Sequence, residues 1–571
     1  MLWLVARVPR SEEKGLTTEM PEARFADVTR EAGIQFAHHN GAYGEKLLPE
    51  TMGGGVAFFD YDNDGAPDLL FVNSSDWPWR MQDEVAAGVN RRTTALYHNK
   101  GSGQFADVTS GSGLEVSSYG MGVACGDYDN DGWSDVFVTG VGTNRLFKNL
   151  GSGRFADVTT AAGISTGSNQ WSTSAAWVDY DNDGRLDLFV CNYVTWSPEI
   201  DRKATFTYDG KNRAYGPPWN YRGTFPQLFH NEGGGRFIDV SARAGIQVTN
   251  QSGMPLAKSL GVAPVDLDAD GWMDLIVAND TVQNLVFRNE QNGAFREIGA
   301  RSGVAFDSYG ATRGAMGIDT ARFRDDDALG IAIGNFANEM NSLYVAQNDP
   351  LYFADEAVTA GLGPASQQLI KFGLFFFDYD LDGRPDVLTA NGHLDPDIER
   401  FSPKQSYRQA AQLFWNRGGS RGMQFATVPP ERAGSELFQP IVGRGSAYAD
   451  IDGDGDLDVV LTQIAGAPVL LRNEQALGRH WVRTKLIGKS ANRDAIGARV
   501  RIRVGNRTLV QQVMPTKGYL SQSELPLTFG LGKAAAVAEA EVIWPGGSRQ
   551  RVDNLRIDGL TMISEQAVKQ N

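Results

Sequence analysis

Six times the sequence returns to the nine-residue pattern D-x-D-x-D-G-x-x-D. The copies are Asp60–Asp68, Asp127–Asp135, Asp179–Asp187, Asp266–Asp274, Asp378–Asp386 and Asp450–Asp458. A tight turn brings the carboxylates at positions 1, 3 and 5 to one side. Glycine at position 6 permits the sharp reversal. Position 7 offers a backbone carbonyl, and the Asp at position 9 closes the cage. Hard oxygen ligands in a flexible loop suit Ca²⁺ rather than a transition metal. The expected ligand sets are Asp60, Asp62, Asp64, Ala66 and Asp68; Asp127, Asp129, Asp131, Trp133 and Asp135; and Asp179, Asp181, Asp183, Arg185 and Asp187. The remaining three are Asp266, Asp268, Asp270, Trp272 and Asp274; Asp378, Asp380, Asp382, Arg384 and Asp386; and Asp450, Asp452, Asp454, Asp456 and Asp458. An EF-hand is excluded, because position 12 holds Phe71, Val138, Val190, Val277, Thr389 or Leu461 instead of Glu. Asp-rich turns without metal are the plain alternative, and six recurrences weigh against it.

A seventh, broken copy lies between the fourth and fifth intact ones. Aligning Ala315-Met-Gly-Ile on Gly120-Met-Gly-Val puts Arg322 and Arg324 at the first two Asp positions and Asp326 at the third. Asp327 replaces the glycine and Gly330 the last Asp. The expectation is a guanidinium in place of the ion, paired with the remaining carboxylates.

Each repeat has one grammar. An apolar, Gly-rich strand such as Gly53–Phe59 enters the Asp loop, and a second, such as Asp68–Val72, leaves it. A third reads Leu146-Phe-Lys-Asn149, and a Gly turn leads to a fourth, Arg154-Phe-Ala-Asp-Val-Thr159. Four short antiparallel strands make the blade of a β-propeller. The chain begins mid-unit, since Arg24–Thr29 is a fourth strand without a blade before it, and the last repeat ends at its third strand, Val469–Arg472. The expectation is an all-β seven-bladed propeller closed by that N-terminal strand.

This grammar resembles the FG-GAP/VCBS repeats of integrin-α-type propellers. From Gly478 the language changes to His480-Trp-Val-Arg-Thr-Lys-Leu-Ile-Gly488, Asn492–Val500, Gly518–Ser523, Leu527–Gly532 and Val542–Gly547. That part is similar to the ASPIC/UnbV domain that follows such repeats in the cartilage acidic protein family, and alternating strands with Gly turns imply a small β-sandwich. The expected division is an extension at 1–22, the propeller at 23–475 and the sandwich at 476–571. The resemblance implies a secreted, calcium-binding protein of the cell surface or matrix, without settled chemistry to carry over.

The formal net charge of −16 argues against a nucleic-acid partner, and six Ca²⁺ would offset most of it. Cys125 and Cys191 read as buried free thiols in apolar strands. Leu2–Ala6 is too short for a signal peptide's apolar core, yet calcium loops fit an extracellular or periplasmic location, and that location is expected.

Insertions gather on the face opposite the Asp loops: 73–95, 192–227 and 391–412 between second and third strands, 35–52 and 247–260 between fourth and first. The second is aromatic-rich, with Tyr193, Trp196, Tyr208, Tyr215, Trp219 and Tyr221. Long loops on a rigid ring carry recognition, so a protein or glycan partner is expected there. Asn73, Asn192, Tyr193, Asn279, Asp280, Asn335, Asn391 and His393 follow second strands and are the candidate ligand-binding ring at the channel mouth, with strand-end capping as the plain alternative. His38, His39, His393 and Glu50, near Asp395, are candidate catalytic residues for the second reading. That reading is a metal-dependent enzyme of a biosynthetic or polysaccharide-processing pathway, with an added transition metal at the mouth. No Ser-His-Asp order, phosphate-binding Gly loop or Cys-x-x-Cys supports a familiar enzyme class.

Overall fold

The computed structural model describes residues 19–80, 93–164, 167 and 169–566. Part of the expected insertion at 73–95, most of the extension at 1–22 and the Leu2–Ala6 run lie outside them. The protein is all-β, with seven four-strand repeat units in separate sheets. One runs Gly120–Gly126, Asp135–Gly140, Arg145–Asn149 and Phe155–Asp157, each strand antiparallel to the last. The N-terminal strand Phe25–Asp27 pairs with Val469–Asn473, Phe25 opposite Asn473, and supplies the fourth strand of the last repeat's sheet.

The first strands touch in chain order: Val56–Phe59, Gly120–Gly126, Ser172–Val178, Ser259–Val265, Ala315–Arg322, Lys371–Phe377 and Gly443–Ala449. The last of them also touches the first. Their glycines make the approach fit. A Cβ on Gly317 would stand 2.0 Å from the Phe372 carbonyl oxygen, and one on Gly445 would stand 2.7 Å from that of Gly54. Buried apolar clusters fill the space between neighbouring sheets. Ala57, Phe59 and Leu70 of one meet Val123, Cys125 and Val136 of the next. Cys125 and Cys191 are free and buried.

The C-terminal part holds a three-stranded sheet (Leu527–Gly532, His480–Ile487, Leu560–Ser564) and a four-stranded one (Arg507–Gln512, Arg499–Val504, Glu539–Ile543, Arg549–Arg551). Val482, Phe529, Val500, Ile502, Val542 and Trp544 fill the core they share. Among the described residues no helix is long and apolar enough to cross a membrane.

Candidate metal loops and the opposite face

Backbone amides build each Asp loop. The position-9 carboxylate is buried and accepts two of them: Asp135 Oδ2 from Tyr128 N (3.3 Å) and Oδ1 from Asn149 N (2.7 Å). Asp68, Asp187, Asp274, Asp386 and Asp458 repeat the arrangement with Asn99, Asn231, Asn289, Asn416 and Asn473. That third-strand Asn also donates to the loop of the preceding repeat, as Asn149 Nδ2 does to Tyr61 O (2.9 Å) and Asn473 Nδ2 to Tyr379 O (2.7 Å). Position 1 accepts the amides of positions 5 and 6, as Asp266 does from Asp270 and Gly271, both at 3.0 Å. Position 5 accepts that of position 7, as Asp131 does from Trp133 (3.0 Å). Gly132 at position 6 has φ +93°, which a side chain would strain.

Each loop is left with a surplus of carboxylate. Asp60 Oδ1, Asp129 Oδ1, Asp181 Oδ1, Asp268 Oδ1 and Asp452 Oδ1 are buried without a hydrogen-bond partner. In the remaining loop the corresponding oxygen, Asp380 Oδ2, faces Arg479 Nη1 at 2.8 Å. Burial pushes Asp135 up to about 9, against the Asn149 amide that favours the ion. Burial and then the charges of Asp187 and Asp183 push Asp179 up to about 8. Groups such as Asp60, Asp62 and Asp68, or Asp127, Asp129 and Asp131, hold ligand atoms within 4.8 Å of one another. Unpartnered buried oxygens converging at this spacing fit a hard divalent cation.

Basic side chains surround the loops, which the sequence reading missed. His98 Nδ1 lies 3.2 Å from Asp68 Oδ1, and His230 Nδ1 lies 3.1 Å from Asp187 Oδ1. Lys148 pairs with Asp129 and Asp131, and Arg288 with Asp268. All four occupy the third-strand position before the recurrent Asn. The C-terminal part supplies a second set: Lys485 on Asp60 (3.2 Å), Arg493 on Asp127 (3.8 Å), Arg499 on Asp266 (3.2 Å) and Arg483 on Asp450 (2.6 Å). It therefore covers the Asp-loop side as a whole rather than one repeat.

From this cover, residues 515–523 enter the space between the first strands. Gln522 pairs with Ala57, and its side chain bonds both backbone groups of Cys125. Gly518 exchanges amide bonds with Ile318, and Leu520 O accepts Val123 N (3.1 Å). The fully buried Tyr519 reaches the far side, where its hydroxyl donates to Met52 O (2.9 Å). The channel mouth expected from sequence is thus filled by the chain itself.

In the seventh loop a guanidinium meets one carboxylate of the loop and one outside it. Arg324 Nη2 bonds Asp326 (2.7 Å), and its Nη1 bonds Glu356 (3.0 Å). Phe323 lies against Gly330, where a Cβ would meet its ring at 2.4 Å.

On the opposite face the candidate ring residues are held within the chain, buried except for the half-buried Asp280. Asn73 Oδ1 accepts His39 N (2.7 Å), and Asn192 Nδ2 donates to Phe225 O (2.9 Å). Asn279 Oδ1 accepts Lys258 N (3.0 Å), Asn335 Nδ2 donates to Met340 O (2.6 Å), and Asn391 Nδ2 to Ala410 O (2.7 Å). Tyr193 donates to Asp280 at 2.5 Å, and burial pushes Asp280 up to about 7. These residues brace strand ends. The candidate catalytic residues share no partner: His38 Nδ1 accepts only Ala465 N (3.4 Å), and its Nε2 is buried without one. His39 Nε2 meets Asp76 at 2.5 Å. His393 Nδ1 accepts Asp395 N (3.1 Å), and Asp395 pairs with Lys46. Glu50 accepts Trp77 Nε1 and the Tyr215 hydroxyl, each at 3.3 Å. Burial lowers His38 to about 3 and His393 to about 4, so both are neutral. Arg444 is fully buried behind them, donating to the carbonyls of Thr51, Gly392, Gly443 and His393, with Phe372 under its guanidinium.

What this face exposes is aromatic: Trp79, Tyr208, Trp219, Tyr309 and Phe401 all lie in its connections. Trp79 stacks on Trp77 with centroids 5.1 Å apart, Arg202 lies over Trp79, and Tyr208 stacks on Phe401 at 5.0 Å.

The FG-GAP-like repeat family matches residues 81–138, 127–190, 266–333 and 378–461, and the ASPIC and UnbV family matches 488–570. Cartilage acidic protein 1 of Xenopus tropicalis is 24% identical over 534 residues, covering 87% of this chain and 71% of that protein. The Homo sapiens protein of the same name is 24% identical over 390 residues, 66% of this chain and 50% of its own length. Among solved structures, an Agrocybe aegerita lectin that recognises non-reducing terminal N-acetylglucosamine aligns with TM-score 0.40 and 14% identity, covering 67% of this chain and 87% of that one.

Proposed function

This chain is an FG-GAP-repeat protein with a C-terminal ASPIC and UnbV domain, similar to cartilage acidic protein 1, and on that premise we propose that it is an extracellular calcium-binding recognition protein. In this reading the seven repeat sheets are the blades of a propeller closed by Phe25–Asp27. The ligand sets are those read from the sequence, and calcium fixes one strand–turn–strand unit in each of six blades, as a structural ion. The partner, a protein or a glycan, docks on the long-loop face. The observation that carries the recognition role is the gathering of Trp79, Tyr208, Trp219, Tyr309 and Phe401 on that face, with Tyr352 the exposed aromatic elsewhere among the described residues, on a frame whose other side is covered by its own C-terminal domain. Exposed aromatic planes with adjacent guanidinium groups suit sugar rings and peptide hot spots alike. An enzyme at the channel mouth gains no support, since Tyr519 and Leu520 occupy that space and His38, His39 and His393 share no partner.

The test is binding of the calcium-loaded chain to arrayed glycans and matrix proteins. Trp79→Ala together with Trp219→Ala should abolish the strongest signal while calcium content stays the same. Undiminished binding by the double variant would move the partner to another surface.

A further inference from the structure

In the six intact loops most buried atoms that lack partners are carboxylate oxygens, with Asn182 Oδ1, the Tyr379 hydroxyl and Arg384 Nε as exceptions. Beside the seventh loop, guanidinium nitrogens lack partners instead. Arg324 Nε and Arg384 Nε are buried without an acceptor, as is Arg507 Nη1 from the C-terminal domain. Arg384 Nε stands 3.6 Å from Asp325 Oδ1, beyond hydrogen-bond reach, and Arg507 spends only its Nη2, on the Asp382 carbonyl at 2.6 Å. All three line one cavity of about 600 Å³ between the seventh loop and the C-terminal domain, a size that suits a small-molecule ligand. Where a cation would complete the intact loops, an anion would complete this one.

We infer that this cavity binds a small molecule through an oxyanion, a phosphate or a carboxylate. Acids line the cavity too, but most are already paired: Asp326 with Arg324, Asp319 with Lys517, Asp327 with Arg322 and Asp266 with Arg499. Arg501 and Arg507 have no carboxylate within 4.0 Å among the described residues. Arg501 stands two residues from Arg499 on one strand, exposed at the cavity wall. The guanidinium fork matches an oxyanion with two parallel N–H donors, which makes it stronger than a neutral donor. The inference does not rest on the long-loop face, and it holds whatever partner docks there.

Isothermal titration of the calcium-loaded full chain with methyl phosphate, and separately with acetate, at constant ionic strength tests it. Saturable binding of one ligand per chain is expected, and the tighter ligand identifies the oxyanion. Arg501→Gln should weaken that binding about tenfold, the size of one charge-assisted hydrogen bond. Because Arg501 is exposed, this variant keeps the fold. Arg507→Gln should weaken it at least as much, while Lys485→Gln, on the first Asp loop, should leave it unchanged. Heats that stay linear for both ligands, or an affinity that Arg501→Gln and Arg507→Gln leave intact, overturn the inference.

Discussion

The two faces of the repeat array handle buried charge differently. On the Asp-loop face it is met by counter-charge. Third-strand His98, Lys148, His230 and Arg288 lie against the loops, as do Lys485, Arg493, Arg499 and Arg483 of the C-terminal domain. Even so, five carboxylate oxygens stay unpartnered. On the long-loop face pairs such as Asp395 with Lys46 and Asp201 with Arg213 stand beside groups met by neutralisation. Burial pushes Glu50 and Asp280 up to about 7 and pulls His38 and Lys371 down to about 3 and about 7. The first solution leaves room for metal and makes stability depend on ions. The second makes it depend on protons.

The sharpest way to break this contrast is to remove divalent cations. A site held at a hundredfold over its dissociation constant contributes about 2.7 kcal/mol, so six sites should dominate the stability of the repeats. Protein in excess chelator should melt more than about ten degrees lower, and calcium should restore it. Elemental analysis should find about six calcium per chain. A melting temperature indifferent to chelator would remove the ions from the Asp-loop face.

Next in size is the counter-charge itself. Arg483 is buried between Asp450 (2.6 Å) and Glu524 (2.5 Å). Arg483→Met leaves two buried carboxylates without their cation, at a cost of about 3–5 kcal/mol. Lys485→Gln removes a partly exposed partner of Asp60 and should cost under about 1 kcal/mol. Equal midpoints for the two variants in urea would mean that the C-terminal domain is not held by its charges.

How much of this was legible in the sequence differs between the faces for a physical reason. The Asp loops are local, with every ligand candidate within nine residues, so spacing exposed them. The pairing of Phe25–Asp27 with Val469–Asn473 was legible because strand grammar was missing one member at each end. The third-strand Asn99, Asn149 and Asn231 recur visibly, but their second role, bonding the neighbouring loop, spans blades and leaves no local trace. The cationic cover and the entry of residues 515–523 join groups hundreds of residues apart, as Lys485 to Asp60 or Gln522 to Ala57, and no periodicity encodes such docking. On the long-loop face the sequence showed the right residue types, yet Asn192, Asn279 and Asn391 serve the strand ends, and the exposed aromatics lie further out in the loops.

The last predicted effect tests the proton side of the comparison. Glu50 is raised from 4.5 to about 7, chiefly by burial, against the hydrogen bonds of Trp77 and Tyr215. The unfolded chain releases this proton near 4.5, whereas the folded protein keeps it to about 7. Folding therefore takes up a proton between those values. Glu50's contribution is full below about pH 4.5 and is lost as the pH rises through 7. Glu50→Gln fixes the neutral form, and the Tyr215 hydroxyl can turn to accept from the new amide. With calcium held constant, the variant should match the parent near pH 4.5 and exceed it by about 1–3 kcal/mol at pH 8. The opposing titrations of His38 and His393 are common to both proteins and cancel in the difference. A difference that stays flat from pH 4.5 to 8 would mean that Glu50 is ionised in the fold, and that this face too relies on a counter-charge there.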